Sequence, residues 1–200
     1  MKKINPILIS LTCFAFIQNP FLSAQQLLSL SIFNHATALP PQGISGQLHP
    51  GIDIGYTKLK RPLNKKSGFI QWKAGYYYHR LVHHGIQLYG EYNKVYPIIK
   101  NKFMFGWSGG LGYLHTIELH EKFKLKSDGQ YTSTGKLGKP HAQVSLATKI
   151  IFANKSISPF LEYRLRFSTP FVNKYVPLLP STSLHLGFYY ILKTSKSKPS

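Results

Sequence analysis

Glu162, Arg164 and Arg166 stand two residues apart, the spacing that puts three side chains on one face of a β-strand. Asp53, Lys73, Glu91 and Lys149 fall on the corresponding faces of other segments, so the seven form a candidate interior charge network. Charges sharing an interior have to pair, because a buried charge left alone costs several kcal/mol. Histidines offer a second kind of chemistry. His79 and His83 lie on one face, but four residues along a strand is about 13 Å, too far for one ion to bridge unless the chain bends at Gly85. Adjacent His83 and His84 face opposite ways, and the three read as polar caps of a strand, so no metal site is expected. Nucleophilic catalysis needs a hydroxyl or thiol within hydrogen-bond reach of its base. Ser108 and Ser145 have no histidine or carboxylate beside them by spacing, and no catalytic residue or cofactor is expected.

The elements that would position these groups are written in a two-residue alternation. From Ile70 to His84 the even positions are almost all apolar or aromatic (Ile70, Trp72, Ala74, Tyr76, Tyr78), and the odd ones carry Gln71, Lys73, Tyr77, His79 and His83. The same pattern recurs at Leu28–Ile32, Pro50–Leu59, Ile86–Asn93, Phe103–Tyr113, Gln143–Phe152, Leu161–Phe167 and Ser183–Leu192. Eight such segments predict an all-β fold, an eight-stranded antiparallel transmembrane β-barrel. Glycines on one face of Phe103–Tyr113 predict room for bulky side chains from across the barrel. The long connections, 37–49, 116–141 and 168–182, fall with the short 82–85 on the side opposite the N-terminus, and 60–68, 94–102 and 153–159 fall on the other. A soluble barrel or sandwich is the competing fold. It leaves unexplained the aromatics at the strand ends (Tyr76, Tyr78, Tyr92, Tyr113, Phe167, Tyr190), which suit interfacial girdles.

The N-terminus sets the compartment. Lys2 and Lys3, the apolar run Ile7 to Ile17, and the small residues Ser23 and Ala24 follow the order of a signal peptide, predicting cleavage after Ala24. The domain plan is therefore a signal peptide over 1–24, a barrel over 25–192 and a basic tail over 193–200. The only cysteine, Cys13, leaves with the signal, so thiolate catalysis, disulfides and cysteine-held zinc are excluded from the mature chain.

Two sets of motifs carry a resemblance. His185-Leu186-Gly187-Phe188-Tyr189-Tyr190-Ile191-Leu192 resembles the C-terminal signal read by the barrel assembly machinery, which implies that machinery as a partner during biogenesis. Phe123-Lys124-Leu125 with Asp128-Gly129-Gln130-Tyr131, and Pro170-Phe171-Val172 with Tyr175-Val176-Pro177-Leu178-Leu179-Pro180 and Leu184-His185-Leu186-Gly187, resemble an uncharacterised group of small outer-membrane β-barrel proteins of the Bacteroidota type. That resemblance implies the barrel fold and the outer membrane of a Gram-negative bacterium, and it brings no catalytic residues. The His-x-Ser arrangement of small outer-membrane enzymes that deacylate lipid A is absent: His115, His141 and His185 precede Thr116-Ile117, Ala142-Gln143 and Leu186-Gly187.

A formal net charge of +19 completes the reading. Behind a signal peptide it points away from nucleic acid and toward either a solvated, nonspecific charge excess or attraction to membrane lipid and lipopolysaccharide phosphates. The connection 116–141 carries Lys122, Lys124, Lys126, Lys136 and Lys139, a candidate anion-binding loop, with Phe123, Leu125 and Tyr131 expected to pack on the barrel rim. An eight-stranded barrel is just wide enough to be filled by its own side chains, so a plugged, non-enzymatic barrel is expected. A lipid A-modifying enzyme and a narrow channel are the alternatives.

Overall fold

Where apolar and polar residues alternate, the backbone forms strands, and the strands close on themselves. The computed structural model describes residues 25–40, 47–59, 61–63, 65–80, 82–99, 102–119, 123–133, 138–154, 156–170 and 177–192. The expected signal peptide and basic tail lie outside them. Eight antiparallel strands form the barrel: β1 (Gln25–Ala36), β2 (Pro50–Leu59), β3 (Ser67–His79), β4 (His83–Ile99), β5 (Phe103–Glu118), β8 (Gly138–Phe152), β9 (Ile157–Thr169) and β10 (Leu179–Leu192). A separate hairpin, β6 (Phe123–Leu125) and β7 (Tyr131–Ser133), rises from the connection between β5 and β8. Closure is made by β1 pairing with β10, from Gln26 opposite Leu192 to Ala36 opposite Thr182. No barrel strand is left as an open edge.

Several boundaries differ from the sequence reading: β1 is longer than Leu28–Ile32, β4 runs to Ile99 into the connection expected over 94–102, and β10 begins at Leu179 within the one expected over 168–182. The third strand does not run to His84. It ends at His79, the Val82 N–H bonds back to the His79 carbonyl at 3.1 Å, and His83 and His84 open β4. The connection expected over 116–141 is shorter, because β5 continues to Glu118 and β8 begins at Gly138, and the β6–β7 hairpin orders part of what remains.

The barrel is apolar outside and polar within. Trp72 and Leu111 are each 68% exposed on the outer wall, and Ile32, Ile70 and Leu186 stand there with them. A continuous exposed surface of this kind belongs against hydrocarbon rather than water. Strands of 10 to 17 residues suffice to cross a hydrocarbon core of about 30 Å when tilted. Tyr76 and Tyr113 mark one edge of the belt, and Tyr56, Tyr92, Trp107 and Tyr190 the other.

Inside, the lumen is stacked in layers. At the short-turn end Leu27, Leu59, Leu63, Phe69, Val95, Met104, Ile151, Phe160 and Tyr189 form one buried apolar cluster. Charged residues fill the middle. Toward the long-connection end Phe33, Tyr77 and Leu114 form a second, smaller cluster. The lumenal glycines of β5 accept side chains from β4: Gly112 lies beneath Tyr89, and Gly110 beneath Glu91. At Gly75 a β-carbon would run into the Asp53 carboxylate, so only glycine leaves that acid its place.

Candidate functional site

Every second residue of each strand enters the lumen, and that rule brings Asp53, Lys73, Glu91, Lys149, Glu162, Arg164 and Arg166 together, none more than 4% exposed. Arg164 is the hub. Its Nη2 lies 2.5 Å from both Glu91 Oε2 and Glu162 Oε1, while its Nε donates to Glu162 Oε1 at 2.8 Å. Lys149 Nζ is 2.7 Å from Glu162 Oε2 and 3.7 Å from Glu91 Oε1. Lys73 Nζ reaches the same two carboxylates at 3.0 Å from Glu91 Oε1 and 3.7 Å from Glu162 Oε2. Three cations thus share two carboxylates, and charge-assisted bonds of this kind hold geometry as well as energy. Asn93 ties the set together by donating from Nδ2 to Glu91 Oε1 at 3.2 Å and accepting from Lys149 Nζ at 2.7 Å.

Asp53 and Arg166 form a second group above the first. Tyr89 donates its hydroxyl to Asp53 Oδ2 at 2.7 Å, and Arg166 Nη2 lies 3.7 Å from the same oxygen. The guanidinium carbons of Arg164 and Arg166 sit 5.1 and 5.9 Å from the centre of the Tyr89 ring. Between Arg166 and Asp53 stands His185, with Nδ1 3.5 Å from Asp53 Oδ2 and Nε2 2.9 Å from Ser183 Oγ. Hydroxyl, imidazole and carboxylate in this order are the parts of a nucleophilic triad. Their setting is wrong for one: Ser183 and His185 are wholly buried, Arg166 Nη1 donates to Ser183 Oγ at 2.5 Å, and Phe33 stacks on His185 at 4.4 Å. A lipid acyl group outside the wall has no approach to that hydroxyl. Ser108 and Ser145 also face the lumen and are buried, and Ser145 accepts from Arg164 Nη1 at 3.2 Å. Sequence reasoning missed Ser183 and His185 as partners, although their alternation with Leu184 and Leu186 already put them on the lumenal face.

The histidines at the mouth need a correction. Because β3 ends at His79 and β4 begins at His83, the two are cross-strand partners with rings stacked at 5.2 Å, not 13-Å neighbours along one strand. His49 stacks on His79 at 3.9 Å, and His35 meets its edge at 6.0 Å. Burial, together with His79 and Arg80, lowers the His49 pKa from 6.5, and its neutral Nδ1 accepts the Arg80 backbone N–H at 3.0 Å. Among the described residues no group of three or more His, Cys, Asp or Glu is placed to hold a metal ion.

Of the five loop lysines, Lys122 and Lys136 lie outside the described residues, and Lys124 sits in β6. Lys126 is exposed at the hairpin turn, where its N–H bonds to the Gln130 carbonyl at 2.9 Å. Lys139, at the foot of the connection, pairs with Glu118 at 3.4 Å. Phe123, Leu125 and Tyr131 do not pack on the rim as expected. They are 59%, 62% and 72% exposed, with Leu125 and Tyr131 cross-strand partners in the hairpin.

No family model matches this chain, and no curated relative matches it. Solved structures do. Neisserial surface protein A (NspA) superposes with a TM-score of 0.53 at 9% identity, covering 84% of this chain and 97% of NspA. Ail, the attachment invasion locus protein of Yersinia pestis, in complex with the heparin analogue sucrose octasulfate, gives 0.48 at 10% identity over 86% of this chain and 100% of Ail. The outer membrane enzyme PagL gives 0.47 at 12% identity over 83% of this chain and 99% of PagL. At such identities the likeness to NspA speaks to fold alone, and the fold is that of a small outer-membrane barrel of eight strands.

Proposed function

We propose that the chain is a non-enzymatic barrel of the Gram-negative outer membrane, plugged by its own side chains, whose β5–β8 connection engages lipopolysaccharide. The observation that carries this reading is the hairpin β6–β7, which holds Phe123, Leu125 and Tyr131 exposed while Lys126 occupies its turn. Apolar and cationic groups side by side suit an amphiphile that joins acyl chains to phosphates. The filled lumen supports it from the other direction, since a barrel stopped by Tyr189, Phe160 and their neighbours leaves the connections as the surface for recognition. Loop motifs similar to those of small Bacteroidota-type barrels favour the same location, and the His185–Leu192 signal favours delivery there by the barrel assembly machinery.

The test replaces Lys122, Lys124, Lys126, Lys136 and Lys139 by Gln and measures binding to phosphorylated and dephosphorylated lipopolysaccharide. The wild type is expected to prefer the phosphorylated form, with the preference shrinking as salt rises and absent in the variant. Equal binding by both proteins at low salt refutes the loop's role, and altered lipid A mass in expressing cells refutes the non-enzymatic reading.

A further inference from the structure

Sorted by place in the fold, the charges are far from even. The six carboxylates divide between the lumen (Asp53, Glu91, Glu162) and the long connection after β5 with its flanks (Glu118, Glu121, Asp128). The short-turn end has none in its sequence, yet Lys58, Arg61, Lys65, Lys66, Lys94 and Lys102 all belong to it. No acid is there to neutralise them.

Their direction matters as much as their sign. Lys58 and Lys94 lie on the outward-facing register of β2 and β4, each two residues beyond a girdle tyrosine, Tyr56 and Tyr92. Lys94 is the cross-strand partner of Trp107. Lys66 Nζ stands 5.4 Å from the centre of the Tyr96 ring. These cations therefore sit on the bilayer side of the wall at the level of an aromatic girdle, where headgroup phosphates lie. A glycan strand beneath the barrel would meet the rim end-on instead and would have no use for outward-facing lysines beside tyrosines.

We propose that the short-turn rim is a binding surface for anionic phospholipids, whose phosphodiester carries no compensating amine. The proposal rests on the membrane-spanning reading of the barrel, but not on which end faces the cell exterior. Each lysine near a charged headgroup layer favours an anion, and the attraction fades over a Debye length.

Trp107 provides the probe, because the chain has only two tryptophans. The full chain carrying Trp72→Phe is folded into vesicles in which either phosphatidylglycerol or phosphatidylethanolamine bears bromine on its acyl chains, and quenching of Trp107 is recorded. Brominated phosphatidylglycerol is expected to quench as though enriched about fivefold near the tryptophan, falling toward its bulk fraction in high salt. Adding Lys58→Gln, Lys66→Gln, Lys94→Gln and Lys102→Gln should remove the enrichment, and Lys126→Gln with Lys139→Gln at the far end should leave it. A folded-protein gel shift checks each variant; the pair Lys58→Gln and Lys94→Gln replaces the fourfold change if that chain does not fold. Equal quenching by the two lipids, or enrichment that survives the substitutions, overturns the proposal. Loss of quenching by both lipids overturns the membrane-spanning reading itself. Co-sedimentation of the wild type with peptidoglycan, absent in the variant and without lipid preference, reassigns the rim to that polymer.

Discussion

Replacing Glu162 by Ala attacks the lumen at its most connected acid. In the wild type Lys73, Lys149 and Arg164 share Glu91 and Glu162, a local balance of three positive charges to two negative. Glu162→Ala leaves the three cations on Glu91 alone, all at full burial. Breaking a buried pair by removing one partner costs about 3–5 kcal/mol. With a urea dependence of about 2 kcal/mol per M, the unfolding midpoint should fall by about 1.5–2.5 M. The measurement is urea unfolding in vesicles followed by tryptophan fluorescence and by gel mobility without boiling. Charge should explain the loss better than shape, so a second change is informative. Glu162→Gln combined with Lys149→Met restores a one-charge excess, two cations to one carboxylate, and should recover more than half of the loss shown by Glu162→Gln alone. An unchanged midpoint for Glu162→Ala refutes the network at its centre. Simple addition of the two single effects refutes the electrostatic explanation and points to packing.

Three further outcomes follow from other layers. Tyr189→Ala with Phe160→Ala removes the two packed rings, 4.7 Å apart, from the apolar cluster, and should give small conductance steps in planar bilayers that the wild type is expected to lack. Gly75→Ala places a methyl group against the Asp53 carboxylate and should cost about 1–3 kcal/mol in the same urea assay, while Gly129→Ala, in the hairpin turn, should leave the barrel midpoint unmoved. At the mouth, His49 has its pKa lowered on folding, so neutral His49 favours the folded mouth. The sign follows: its contribution is complete above the unfolded value of about 6.5 and is lost as pH falls toward the folded one. Protonated Nδ1 is no longer an acceptor for the Arg80 N–H, so protection of that amide should drop between pH 7 and 5, and His49→Ala should show no such pH dependence.

The lumen was legible in the sequence for a geometric reason. A strand's period of two is fixed by its backbone, so Glu162, Arg164 and Arg166 share a face wherever the strand ends. Which acid meets which base was not legible, because pairing depends on register between distant strands: Arg164 meets Glu91 across 73 positions of chain, and no local pattern reports that. The mouth was hidden by the turn itself. β3 and β4 pair so that partner numbers sum to an even total, His79 with His83 and Tyr76 with Ile86, so even positions stay on the outer wall before and after the bend. Alternation then resumes in the same phase on the far side of the turn, so a single long strand and a tight hairpin write nearly the same string from Ile70 to His84. The one local sign of the turn is Arg80 on the apolar face with Leu81 on the polar one. The same parity that concealed the bend brings His79 face to face with His83, which is how one short connection builds the stacked histidine mouth from residues that a straight strand holds apart.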